Sequence, residues 1–291
     1  MTEQTKTLRE IDTPFYNYWQ ALYLSFFSSR LYVDVGKRWK GFGLLYLLLL
    51  MFIVSIPFAM RVTSDFNRFI NEEMIQPLEQ LPSIYIQNGK VSFDKPMPYM
   101  VKNKSGQVVL IVDTTGKVQT IDNTYPHLTT LITKNKFMYR FPSPQFFFSK
   151  GPVASESSLF VQTISEQVNE VFDGKRWVKS SGIERVKYLS AAIIYPMVAL
   201  IFFAMYLVFF LAFALMGQFV AKLFLKLSLG YKQASRLLIV SSTPQIVLLL
   251  FMLTMGWLFN WFGIVLLIVL SIYFTYAIIS LKRESHKLVV S

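Results

Sequence analysis

The stretch "YLSAAIIYPMVALIFFAMYLVFFLAFALMGQFVA", residues 188 to 221, contains no Asp, Glu, Lys or Arg. At about 1.5 Å per residue a helix of this length would reach about 50 Å, whereas a hydrocarbon core about 30 Å thick needs only about 20 apolar residues. The run predicts a transmembrane helix that projects or bends, with Pro196 as the natural break and the embedded part near Tyr195 to Gln218.

Two further runs have the same character. Residues 41 to 60, "GFGLLYLLLLMFIVSIPFAM", just reach spanning length and end at Arg61. Residues 237 to 281 are charge-free and long enough for two crossings, with a turn expected near 256–263, "GWLFNWFG", where Gly256, Asn260 and Gly263 favour a reversal between aromatic anchors. Four spans result. With 53% hydrophobic and only 16% charged residues, the chain is too apolar for an ordinary soluble domain, so the bilayer is the expected solvent.

Lys and Arg orient such spans, because cytoplasmic flanks collect them. Arg30, Lys37, Arg38 and Lys40 precede the first span, Lys222, Lys226, Lys232 and Arg236 fall between the second and third, and Lys282, Arg283 and Lys287 follow the fourth. Both termini are therefore expected in the cytoplasm of a bacterium, in its cytoplasmic (inner) membrane, with residues 61–187 extracytoplasmic. The formal charge of +12 is scattered without helix-turn-helix or zinc-finger spacing, so no nucleic-acid partner is expected. The absence of cysteine removes disulfides and thiolate chemistry from consideration and leaves the redox compartment open.

Outside the spans, residues 1–40 form a cytoplasmic segment in which 14 to 33, "PFYNYWQALYLSFFSSRLYV", repeats aromatics at three- and four-residue spacing. That pattern predicts an amphipathic helix on the inner leaflet, with basic "GKRWKG" beside anionic lipid. Residues 61–187 read as a small α+β, mainly β, domain between the first and second spans. Ser64 to Gln80 is helical, broken near Pro77 and Pro82. The runs "SIYIQ", "KVSF", "VVLIVD", "KVQTI", "LTTLI", "FMYRF" and "QFFF" read as strands, with Asn88-Gly89 a hairpin turn, and 157–172 as a closing helix. The remaining divisions are 188–221 (second span), 222–236 (basic cytoplasmic loop), 237–281 (third and fourth spans) and 282–291 (cytoplasmic tail).

Little reactive chemistry is suggested. "VVLIVDTTGK" is similar to the aspartyl loop of haloacid-dehalogenase-type phosphatases, but Thr115 stands where the second aspartate is needed, and a β-turn over Asp113 to Gly116 is the simpler reading. His127 and His286 have no metal-binding spacing, and no phosphate loop, zincin or serine-elbow motif occurs. No catalytic, cofactor-binding or metal residue is assigned. The cluster Ser241 to Gln245 lies one turn beyond Arg236; Pro244 removes a backbone donor there, and neighbouring hydroxyls can satisfy the carbonyl it frees. Tyr231, Arg236, Thr243 and Pro244 are the candidate coupling or partner site.

The pieces "KGFGLLYLLLL" with "SIPF", "LPSIYIQNGKVSF", "VVLIVDTTG" and "YKQASRLLIVSSTP" stand in an order that resembles a family of uncharacterised bacterial multipass membrane proteins, a domain-of-unknown-function family with some members labelled maltodextrin-utilisation proteins. The basic segment entering a Thr-Pro span is remotely similar to Yip-type membrane proteins. The resemblance implies four spans and an outer domain between the first two, and no activity. The expectation is a non-enzymatic accessory, scaffold or sensor subunit with a protein partner in the membrane; the alternative is a permease component for a sugar or other uncharged solute.

Overall fold

The computed structural model describes residues 13–140, 159–225 and 227–290. The chain forms two compact units, one from residues up to 61 and from 192 onward, the other from Val62–Ala191. In chain order the helices are α1 (Tyr18–Leu24), α2 (Ser29–Lys37), α3 (Leu44–Val54), α4 (Ile56–Phe69), a π-helical turn (Ile70–Ile75), α5 (Gln76–Gln80), α6 (Gly174–Ser180), α7 (Ile183–Leu225), α8 (Tyr231–Ser241), α9 (Thr243–Met255) and α10 (Phe262–Val290).

In the first unit the apolar runs are helices. Ile183–Leu223 and Phe262–Arg283 are each long and apolar enough to cross a membrane; α3 with the helical residues 56–80, and α8 with α9, qualify only as pairs bent by 47° and 42°. There are thus two candidate spans among the described residues, or up to four if each bent pair is one. Residues 41–60 are not one straight segment ending at Arg61. Ser55 breaks them two residues before Pro57, and α4 then continues through Arg61 to Phe69. A proline without an N–H opens the helical ladder, whereas a charge ends only an apolar run. Pro196, by contrast, lies inside an uninterrupted 43-residue α7, so the break expected there is absent.

The amino-terminal aromatic segment is two helices. Asn17 and Gln20 cap α1 reciprocally, and the Ser28 hydroxyl accepts the Leu31 N–H to start α2 afresh. One face of α2 is internal: Leu31, Tyr32 and Val35 are fully buried, and the helix packs on α8 and α10. The buried Asp34 carboxylate accepts the N–H groups of Phe15 and Tyr16 at 3.0 Å, fixing the entering chain, while Phe15, Trp19, Tyr23 and Phe27 stay exposed. Residues 231–236, expected in a loop, are the first turns of α8.

The second unit carries eight strands among the described residues: β1 (Ile84–Gln87), β2 (Lys90–Ser92), β3 (Tyr99–Lys102), β4 (Val108–Asp113), β5 (Thr130–Thr133), β6 (Lys136–Arg140), β7 (Leu159–Thr163) and β8 (Glu170–Phe172). They form two sheets, β2-β1-β8 and β3-β4-β5-β6-β7. The β1–β2 hairpin turns at Asn88 and Gly89, whose φ angles of 49° and 69° are the left-handed pair that a two-residue hairpin demands. β4 is buried from Val109 to Asp113 because both faces are covered. Leu110 and Val112 join a cluster with Ile84, Val91 and Ile132, whereas Ile111 joins Ile121, Leu128, Leu131 and Met138.

Three expectations fail here. The closing helix over 157–172 is instead β7 and β8: Lys136–Arg140 and Ile84–Ile86 offer unpaired edges, and ladder pairing overrides an accidental helical spacing in which Phe160 and Val161 are in fact exposed. "KVQTI" is not a strand, because β5 takes the edge of β4 in parallel and Ile121 covers the sheet face. Pro77 does not break its helix; it sits in the first turn of α5, after a turn widened to the π form. "QFFF" lies outside the described residues.

Ile70, Ile75, Val178 and Ile183 pack the helical edge of this unit together. At Gly174 a Cβ would lie 1.9 Å from the Leu78 carbonyl oxygen, so the close approach of α6 to α5 requires glycine. Gly174→Ala is expected to destabilise the full-length chain by about 1–3 kcal/mol through forced displacement. Its thermal midpoint should fall, while that of the exposed Gln162→Ala control should not.

Candidate functional site

The α8–α9 bend gathers the candidate residues. Pro244 has no N–H for the Val240 carbonyl, and the Thr243 hydroxyl takes that carbonyl at 2.9 Å. Ser241 and Ser242 likewise donate to Leu238 and Ile239 oxygens at 3.0 and 2.7 Å. All four residues are buried. Where water is absent, such hydroxyls are what makes a broken helix tolerable.

Thr243 has a second partner, the Tyr46 hydroxyl on α3, at 2.6 Å. A hydroxyl has one proton, and that of Thr243 is given to Val240, so Tyr46 donates and Thr243 accepts. The result is a directed chain from Tyr46 through Thr243 to Val240. It ties the bend to α3 across 197 residues of sequence.

Arg236 belongs to a second knot at the other end of α8. Its Nη2 donates to the Gly36 oxygen at 2.6 Å, and Gln233 Nε2 reaches the same oxygen at 3.1 Å. Gly36 lies in the last turn of α2, whose final carbonyls have no intrahelical donor and whose end carries partial negative charge. A buried guanidinium is well matched to that position. Ser235 Oγ donates to the Phe42 oxygen at 3.3 Å, so α8 grips both ends of the link from α2 to α3. Tyr231 stacks edge-on with Phe42 and donates to the Leu211 oxygen of α7 at 2.8 Å.

Tyr231, Arg236, Thr243 and Pro244 therefore lie on one bent pair but in two separate knots, and each serves an intrachain bond or the bend itself. Sequence reasoning missed Tyr46, Gly36 and Gln233. It also missed Arg61, which donates through Nη1 to the carbonyls of Leu253 and Thr254 and so caps the end of α9. Only its position at the end of an apolar run could have drawn attention. Four buried polar atoms of this unit, Trp39 Nε1, Ser55 Oγ, Arg236 Nε and Gln245 Oε1, have no hydrogen-bond partner among the described residues.

Gly217 meets α10 closely, since a Cβ there would lie 2.8 Å from the Phe274 ring. Ser271 and Thr275, small residues four apart on α10, both face outward and so bring no other helix of the chain close. In the β-rich unit, Asp113 is 1% exposed and both oxygens are engaged: Oδ1 accepts Thr115 N and Oγ1 at 2.9 and 2.6 Å, Oδ2 accepts Val118 N at 2.6 Å. Burial raises its pKa, but these bonds together outweigh burial and hold it below the ordinary aspartate range. The carboxylate closes its own loop. His127 Nε2 lies 3.1 Å from Gln107 Nε2, and among the described residues no cluster of His, Cys, Asp and Glu could hold a metal ion.

Apolar helices of spanning length beside a separate β-rich unit mark a membrane protein with a folded domain set into its helical part. The chain belongs to the family described as "Protein of unknown function (DUF1189)", whose model matches residues 19–278. It is also similar to the uncharacterized protein RP489 of Rickettsia prowazekii (strain Madrid E), at 30% identity over 108 residues, covering 33% of this chain and 38% of that protein. The chain thus spans well under half the length of this relative. No solved structure matches.

Thr243→Val should cost about 1–3 kcal/mol, because it strands the Val240 carbonyl and the Tyr46 hydroxyl together, whereas Thr243→Ser should stay near wild type. Thermal unfolding of the full-length chain in detergent measures both. Asp113 gives a pH signature. A carboxylate with a depressed folded pKa stabilises fully above its unfolded value and loses that contribution as pH falls through the folded one. Stability should therefore decline below about pH 4, and Asp113→Asn should flatten that acid limb.

Proposed function

We propose that this chain is a four-span protein of the bacterial cytoplasmic membrane, with cytoplasmic termini and an extracytoplasmic β-rich domain, acting as a non-enzymatic accessory, scaffold or sensor subunit of the envelope. The observation that carries this reading is the pair of knots on the α8–α9 bend. Arg236 and Thr243 tie α8 and α9 to α2 and α3, so a partner that displaces α2 acts directly on the bundle. Tyr231, Arg236, Thr243 and Pro244 are the coupling residues in this account, anionic lipid lines the cytoplasmic face, and a second membrane protein receives the signal.

The orientation is supported by charge. Arg236 and Gly36 mark one end of the helical unit, near Lys37, Arg38 and Lys40, while Arg61 meets α9 at the other end, where the turn between α9 and α10 has no Lys or Arg. A permease for an uncharged solute is the second reading. It is favoured by the two bent pairs, both broken at Ser-X-Pro, and by the unpartnered Ser55 Oγ and Gln245 Oε1. Sugar uptake into proteoliposomes would establish that reading in place of the first.

Because the chain lacks cysteine, single thiols report topology directly. In cells stripped of any outer barrier, Ser105→Cys should react with a membrane-impermeant maleimide and Ser228→Cys should not. The reverse pattern overturns the orientation. For the coupling role, Arg236→Gln, which removes the bond to Gly36, should reduce co-purification of a cross-linked membrane partner per unit of folded chain recovered.

A further inference from the structure

Five basic residues, Lys175, Arg176, Lys179, Arg185 and Lys187, lie within the thirteen positions before the charge-free run that opens at Tyr188, against one acid in the same interval, Glu184. Three of them converge: Lys175, Arg176 and Lys179 line one shallow concavity together with Ser180 and Asp173. Like charges at i and i+4, as Lys175 and Lys179 are, repel each other when nothing anionic lies between them. The Asp173 carboxylate, which accepts the Arg176 N–H at 3.0 Å, offsets part of this charge, and its one negative charge faces three cations. Among the described residues none of the five makes an ion pair within 4 Å.

The basic face cannot turn away. Val178 and Ile183 are held in the apolar cluster with Ile70 and Ile75, and Gly174 lies against the Leu78 backbone. Trp177, on the same helix, is 43% exposed, and Tyr188 is 79% exposed. From Lys179 to Tyr188 the chain makes a two-residue turn and little more than one turn of α7, so the cluster stands within roughly 20 Å of the first apolar turn. Cations, a half-exposed indole and the start of a membrane helix share this short interval. The turn between α9 and α10 has exposed tryptophans as well, but the arginine that reaches it from another helix, Arg61, already donates to the Leu253 and Thr254 carbonyls.

We infer that α6 and the first turn of α7 form a binding site for the headgroup of an anionic phospholipid. The Arg176 guanidinium and the Lys175 and Lys179 ammonium groups donate to the phosphodiester oxygens, while Trp177 and Tyr188 lie at headgroup depth. Arg185 and Lys187 add attraction without direct contact. The site rests on α7 being a span and holds on either side of the membrane, so its failure and that of the proposed orientation are separable.

The test is native mass spectrometry of the full-length chain released from membranes of phosphatidylcholine and phosphatidylglycerol in equal parts. Phosphatidylglycerol should be retained selectively and lost as salt rises. The combined Lys175→Gln, Arg176→Gln and Lys179→Gln chain should bind it on the order of 100-fold more weakly with an unchanged melting curve, and the charge-conserving Lys175→Arg with Lys179→Arg, Arg176 intact, should bind as the wild type does. Equal retention of phosphatidylcholine, or full phosphatidylglycerol binding by the triple variant, would overturn the assignment. So would displacement by inorganic phosphate at the affinity of the lipid, which would mark a soluble-anion site.

Discussion

A carbonyl oxygen inside a bilayer has no water to turn to, and the helical unit is organised around that fact. Pro244 bends the α8–α9 pair and leaves the Val240 oxygen without its helical donor; the hydroxyl of the preceding residue supplies one. At the other bend, after Ser55, the Phe52 oxygen is reached by Tyr195 from α7 at 2.6 Å. Helix ends pose the same problem, and two arginines address it, Arg236 at the end of α2 and Arg61 at the end of α9. Each solution that borrows a donor from another helix is at the same time a tertiary contact. Satisfying the backbone and assembling the bundle are here largely one process.

This explains why Thr243 matters beyond its own turn. Local relief of Val240 needs only a hydroxyl, which serine would provide. The acceptance of the Tyr46 proton makes the bend a fixed point for α3, and the Gly36 knot does the same for α2 one helix earlier. Between the knots, α8 is buried from Ala234 to Ser241, so displacement of either end is transmitted through packed side chains rather than through a loop.

How much of this was legible in the sequence depended on the distance over which each decision is made. Charge-free runs identify apolar helices because burial in lipid is a property of the run itself. Asn88-Gly89 identifies a hairpin because left-handed backbone is a property of those two residues. The Thr243-Pro244 relief is also local, one hydroxyl beside one proline. By contrast, Leu159–Thr163 and Glu170–Phe172 are strands because of edges provided by residues 136–140 and 84–86, and their own spacing points to a helix. The partners Tyr46 and Gly36 stand 197 and 200 residues from the groups they bind, and no periodicity links them. Pro57 and Pro196 show the limit of a single rule: the same residue type breaks α3 from α4 and passes through α7 unremarked, according to what surrounds it.

In the β-rich unit, β4 is a partition one strand thick. Its even-numbered positions 110 and 112 look into one oily compartment and position 111 into the other. A cavity opened at 110 and one opened at 111 would therefore be felt by different neighbours although the two residues are bonded to each other. Parity along these three consecutive residues works as an address, naming which half of the domain a perturbation enters.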